Sequence, residues 1–340
     1  MSGPPGAAVL TGVVATGVGS WPGQDVREAL RVLRGELASG QAPDGVVALP
    51  YLAELPARGP GADMIGRTAQ LLVDLPVDLQ PQGWRLVDRP GRDVERALSL
   101  WRQDLDELAE TFDGYAGPLK VQVVGPWTMA AALWKPLGDK VLSDSGATRD
   151  LTESLAEGVA AHVADVRRLI PGAQVVLQVD EPSLSAVFAG RIRSESGYRT
   201  LRTPEREEAQ TALGRVLDQP AAADRGAHCC ADDPPVDVLV GAGARFLALD
   251  LARLDGRRWE QVAVAHEAGV RLWAGMDLDA AEAAEPLRRV WSELGLPVRD
   301  LGEVGVIPPC GLAGVTPDGA RTATRRAVEL AARLAETARS

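Results

Sequence analysis

The segment "AQVVLQVDEP" runs from Ala173 to Pro182. It is apolar at Ala173, Val175, Val176, Leu177 and Val179, and it ends in two carboxylates and a proline. Pro171-Gly172 precedes it, so turn signals bound it on both sides. A short, nearly continuous apolar run of this kind reads as a strand buried on both faces, as in parallel sheets covered by helices. Runs of the same character recur along the chain: 11–20 "TGVVATGVGS", 45–52 "GVVALPYL", 119–126 "LKVQVVGP", 225–231 "RGAHCCA", 244–251 "ARFLALDL", 270–277 "VRLWAGMD" and 303–311 "EVGVIPPCG". With 173–182 they make about eight, the number that closes a β/α barrel.

The intervening segments have helical periodicity. In 25–39 Val26, Leu30, Leu33 and Leu37 share one face. Residues 93–112 follow the same pattern with Asp93 as the expected N-cap, and 148–170 end before Pro171-Gly172. Segments 256–269 and 317–338 are helical as well. The stretch from 53 to 118 is longer than one crossover needs, which predicts extra helices and a hairpin over 76–91, between the second and third barrel strands. No repeat and no Ser- or Pro-rich linker divides the chain. The expectation is one (β/α)8 TIM barrel over residues 1–340.

Composition narrows the class. Of 340 residues 46% are hydrophobic but only 4% aromatic, so the core is built from Ala, Val and Leu. A net charge of −11 argues against a nucleic-acid surface. Three cysteines cannot form a disulfide framework and fit a reducing compartment. The apolar stretch from Ala7 has no basic residue before it and is not expected to be a signal peptide. No apolar run approaches the roughly 18 residues needed to span a bilayer, so a cytoplasmic protein is expected.

Polar residues gather where the strand-like runs end: Ser20, Glu54, Asp180, His228, Cys229, Cys230, Asp250 and Cys310. In a β/α barrel all these ends face one opening. His228, Cys230 and Cys310 are therefore candidate zinc ligands, with Asp250 as an oxygen ligand in the resting state; soft sulfur donors disfavour magnesium and calcium. Side chains alternate along a strand, so His228 and Cys230 point one way and Cys229 the other. The competing view is that each cysteine is simply a small buried hydrophobe. His162 and His266 fall in helical patterns and read as surface or packing residues. Trp21, Trp127 and Trp134 lie near strand ends and are either packing residues or a platform for a flat ligand. The glycines of "GVGSWPG" lack dinucleotide-binding spacing, and no Gly-x-Ser-x-Gly elbow is present.

Six motifs in order, Thr16–Pro22 "TGVGSWP", 124–130 "VGPWTMA", 177–184 "LQVDEPSL", "HCC" at 228, "ALD" at 248 and 308–312 "PPCGL", resemble the catalytic barrel of cobalamin-independent methionine synthase. That family belongs with uroporphyrinogen decarboxylase in one barrel superfamily, although the decarboxylase uses no metal. The resemblance implies zinc on His228, Cys230 and Cys310, with Asp250 standing where the family has a glutamate. It implies that Ser20, Asp180 and Glu54 hold the amino-acid part of homocysteine, and that the donor is 5-methyltetrahydrofolate. Two departures concern that donor. Residues 273–285 carry no histidine, so either Asp277 or Asp279 stands in to protonate the leaving folate or no such acid is needed. Trp127 and Trp134 do not keep the spacing of the folate-stacking tryptophan. The family's second, N-terminal barrel is not expected in this chain, which opens on motifs like those of the catalytic one. Two alternatives therefore stay open: the same barrel and zinc with a methyl-corrinoid donor, carried by a corrinoid protein, or a different thiol acceptor; and a non-catalytic zinc- or thiol-binding relative.

Overall fold

The structure, a computed structural model, describes residues 10–280 and 282–340. The beginning of the expected 1–340 span, with the apolar stretch from Ala7 to Val9, lies outside the described residues, as does Ala281.

Among the described residues ten strands are formed: β1 Val13–Ala15, β2 Val46–Ala48, β3 Val77–Gln80, β4 Gly83–Leu86, β5 Gly117–Val124, β6 Ala173–Asp180, β7 Asp224–Cys229, β8 Phe246–Asp250, β9 Arg271–Gly275 and β10 Gly305–Ile307. Eight of them make one parallel sheet in the order β2-β1-β10-β9-β8-β7-β6-β5. The sheet curls until its edges meet. Lys120 of β5 donates its backbone N–H to Pro50 at 2.9 Å and accepts from Leu52 at 3.0 Å, beside a parallel bridge between Tyr51 and Lys120. The expected eight-stranded barrel is thus present, closed by a short seam.

β3 and β4 form the antiparallel hairpin expected in 76–91. Trp134 pins it to the barrel: its backbone N–H donates to Trp84 at 2.9 Å and its indole N–H to Gln82 at 3.0 Å. The helix expected from Asp93 spans Arg92–Thr111, and Gly91, not Asp93, is its N-cap; Asp93 lies inside the first turn, where its charge still favours the helix dipole. The helix over Ser145–Leu169 begins earlier than expected because the Asp144 side chain caps Ala147. A helix at Arg206–Leu217 lies in a stretch the periodicity argument passed over.

Two apolar clusters hold the barrel. The larger lies between sheet and helices. The smaller fills the barrel and contains Val14, Val176, Phe246, Ala248, Trp273 and Ile307. The rings of Phe246 and Trp273 stack at 3.6 Å. Gly226 and Gly305 make room for them, since a Cβ at either position would lie 2.4 Å from a ring atom. No helix among the described residues is long and apolar enough to cross a membrane.

Candidate active site

Strand alternation builds the site. On β6, Leu177 and Val179 face the helices while Val176 faces the barrel interior, so Gln178 and Asp180 point inward with it. The same alternation on β7 sends Ala227 and Cys229 outward and His228 inward. On β5 it sends Val121 and Val123 outward and Lys120 and Gln122 inward.

The inward polar groups are joined. Gln178 Nε2 donates to Asp180 Oδ1 at 2.7 Å, and His228 Nδ1 lies 3.1 Å from the same oxygen. Among the described residues no protein donor reaches Asp180 Oδ2. His228 is 4% exposed, and its buried Nε2 has no hydrogen-bond partner among the described residues. Lys120, fully buried, donates to Val18 O at 2.7 Å and Gln178 Oε1 at 3.0 Å; burial lowers its amine to about 8.

Cys230 and Cys310 meet although 80 residues separate them, with sulfurs 3.4 Å apart. The hydrogen bond between the two sulfurs lowers Cys310 to about 6 and raises Cys230, and the Gly311 backbone N–H adds to the lowering of Cys310. Cys229 is buried on the other face, 3.9 Å from Ser185 Oγ, and burial raises its thiol to about 11.

Beside the thiols, the loop after Cys310 is tied to Ser20. Leu312 N–H donates to Ser20 O at 3.0 Å, and a Cβ on Gly311 would lie 2.0 Å from Ser20 Oγ. Ser20 and Glu54 are paired through their backbones. Glu54 is 8% exposed; burial pushes its carboxyl up to about 6, partly opposed by Arg67, whose Nε is 3.7 Å from it. Arg67 is fixed by Asp104 and by the face of Trp101, 4.5 Å from the ring centroid.

Several expected site residues are placed elsewhere. Asp250 is turned into its own turn, where Oδ1 accepts from Ala252 N–H at 3.0 Å and Oδ2 lies 3.5 Å from Arg253. Among the described residues no group of three or more His, Cys, Asp or Glu side chains is arranged to hold a metal ion, so neither the expected set with Asp250 nor His228, Cys230 and Cys310 alone stands as a formed metal site. The partial set still fits a thiophilic ion by donor chemistry: two neighbouring thiols and an imidazole nitrogen with no hydrogen-bond partner among the described residues. Two thiolates on one tetrahedral zinc would stand about 3.8 Å apart, from bonds of about 2.3 Å, close to the spacing observed.

Trp127 and Trp134 are packing residues and not a ligand platform. Trp127 has no exposed surface and donates its indole N–H to Ala209 O at 3.1 Å, and Trp134 is sandwiched under the hairpin. Asp279 is ion-paired with Arg326 at the surface, and that pairing argues against it as a proton donor. Asp277 is exposed on the wall of a cavity of about 380 Å³ shared with Pro308, Pro309 and Leu312. His162 packs on Trp101 and His266 on Trp291. Sequence reading missed Lys120 and Gln178, and noted Glu181 at a strand end without a role. The signal for the first two was available: polar residues two apart in otherwise apolar strands, at Lys120 and Gln122 and at Gln178 and Asp180. Glu181, fully buried, accepts from the backbone N–H groups of Trp127 and Thr128 and from the Thr128 hydroxyl, so it anchors the short helix Pro126–Ala132. Burial raises its carboxyl to about 7.

A parallel eight-stranded barrel with a His, two Cys and buried carboxylates at its C-terminal opening has the architecture of the β/α-barrel enzymes, whose active sites lie at that opening. The family model "Cobalamin-independent synthase, Catalytic domain" matches residues 13–333, and the chain belongs to that family. It is an enzyme of the cobalamin-independent methionine synthase type. Among solved structures it is similar to a B12-independent methionine synthase from Shewanella sp. W3-18-1 in complex with selenomethionine, with TM-score 0.58 and 11% identity over 96% of this chain and 98% of that one. It is also similar to a methyltransferase from Methanosarcina mazei, with TM-score 0.53 and 14% identity over 95% and 94%. At these identities the likeness concerns the fold. No curated protein matches the chain significantly.

Proposed function

We propose that the chain transfers a methyl group to the thiol of homocysteine, making methionine, with zinc held by His228, Cys230 and Cys310. The observation that carries this reading is the meeting of Cys230 and Cys310 at 3.4 Å, at the end of the strand that carries a buried His228 whose Nε2 has no partner among the described residues. Zinc in that position would deprotonate a coordinating thiol, whose ordinary pKa is near 8.5, and so supply a sulfur nucleophile at neutral pH. The chain's own groups orient the substrate. Asp180, through its free Oδ2, and Glu54 pair with the ammonium of homocysteine; Ser20 and its neighbouring backbone receive the rest of the amino-acid end. Such charge-assisted contacts are stronger than neutral ones and fix the sulfur toward the donor.

The donor carried over from the family is 5-methyltetrahydrofolate. Its N5–methyl bond breaks as the sulfur–methyl bond forms, and N5 takes up a proton. Asp277 is the carboxyl available for that proton, Asp279 being engaged by Arg326. Membership of a cobalamin-independent family favours this donor over a methyl-corrinoid. Turnover assays with homocysteine and each donor test the reading: methionine is expected from methyl-folate, and Cys310→Ala abolishes it. Methionine from methyl-corrinoid alone would reassign the donor. No methionine from either donor would leave a zinc- or thiol-binding relative without this activity.

A further inference from the structure

We propose that Lys120 and Gln178 are positioning residues: through a hydrogen-bond chain with a fixed direction they hold Asp180 so that His228 keeps its proton on Nδ1 and leaves Nε2 bare. What Nε2 is used for rests on the zinc reading above; the direction of the chain rests on contacts alone.

The direction can be read one link at a time. Lys120 lies fully buried inside the barrel, with its Nζ 5.0 Å from the centre of the Tyr51 ring. An ammonium has only donors. It therefore faces acceptors, Val18 O at 2.7 Å and Gln178 Oε1 at 3.0 Å. The Gln178 NH2 is left to face Val18 O at 2.9 Å and Asp180 Oδ1 at 2.7 Å. The flipped amide would set an oxygen against those two acceptors and an NH2 against a donor, so the partners decide the amide orientation. Asp180 Oδ1 also meets His228 Nδ1 at 3.1 Å. An ionised carboxylate only accepts, so the ring proton must sit on Nδ1. That leaves the Nε2 lone pair unpartnered in a buried position.

Volume alone does not account for Lys120. A methionine would fill the same space without the cost of burying a charge. Groups behind a metal-binding histidine set its tautomer and ring angle, and losing them typically costs about 10–100-fold in metal affinity.

The test begins on the reduced, metal-free full chain. Long-range 1H–15N spectra resolve the imidazoles of its three histidines, with His228 assigned by comparison with His228→Gln. His228 is expected to be protonated at Nδ1 and bare at Nε2. In Lys120→Met and Gln178→Leu that single-tautomer signature is expected to disappear. Zinc affinity, read by competition with a chromophoric chelator, is expected to fall about 10–100-fold. His228 protonated at Nε2 in the unaltered chain would overturn the proposal, and this measurement needs no variant to fold. Folded variants that keep both the tautomer and the zinc affinity would overturn it as well. An unaltered chain with the expected tautomer but no zinc binding would support the relay and remove the zinc reading.

Discussion

Glu54 and His162 illustrate two opposite consequences of burying an ionisable side chain. Burial raises Glu54 to about 6, so the carboxylate that would receive the homocysteine ammonium forms only as pH rises through that value. Homocysteine affinity is expected to strengthen from pH 5 to 7, and Glu54→Gln to weaken it by about 10- to 150-fold, the loss of one charged hydrogen bond of about 1.5–3 kcal/mol. Calorimetric titration across that range checks this; a pH-independent affinity equal to that of the variant would remove Glu54 from the amine site. His162 is neutral in the fold because burial, reinforced by the Arg67 charge, lowers it from 6.5 to about 3. The unfolded chain takes up a proton near pH 6.5 that the folded chain refuses, so this contribution is present above pH 6.5 and lost progressively as pH falls toward 3. In acid melts His162→Leu is expected to flatten stability over that window; an unchanged acid limb would contradict it. Sequence alone made some of these side chains legible and not others. His228, Cys230 and Cys310 follow from strand ends, because a barrel brings such ends together whatever their separation in the chain. Asp250 sits at such an end too, but a carboxylate next to a turn can cap that turn, and here it does. Position near a strand end likewise says nothing about which face a tryptophan takes, and Trp127 and Trp134 both took the packed one.

The barrel strands were legible as apolar runs, and the β3–β4 hairpin as a polar, Gly- and Pro-bounded insertion. Their lengths were not: β1, β2 and β10 are three residues each, since only the part that faces a neighbour in register forms the ladder. The helix Arg206–Leu217 escaped because its charged first turn hides a narrow buried stripe at Ala209, Leu213, Val216 and Leu217. Two glycines in the strands answer to the ring pair inside the barrel. A Cβ at Gly305 would lie 2.4 Å from Trp273, and one at Gly226 the same distance from Phe246, while the stacked rings leave neither free to turn away. Gly305→Ala is expected to destabilise the fold by about 1–3 kcal/mol through overpacking. Denaturant melts read this directly, and a variant as stable as the parent would show that the ring stack is looser than its 3.6 Å spacing implies.

Barrel closure links the fold to the chemistry. The seam between β2 and β5 is made at Lys120, the same residue whose side chain starts the polar chain toward His228. The loop carrying Cys310 is anchored on Ser20, which follows the first strand, so the last thiol reaches Cys230 only when the barrel is closed on itself. A metal shared by His228, Cys230 and Cys310 would therefore bind the closed barrel and not the unfolded chain, and its removal is expected to lower the melting temperature. Differential scanning calorimetry with and without a chelator checks this, and equal melting temperatures would contradict it. The most direct measurement is zinc-edge X-ray absorption on the reduced chain before and after adding homocysteine, with metal content determined for the same sample and for Cys310→Ala. The account predicts about one zinc per chain, lost in Cys310→Ala, and one additional sulfur ligand when homocysteine is present. A reduced, freshly prepared chain without zinc, or zinc whose sulfur count does not change with homocysteine, would contradict it.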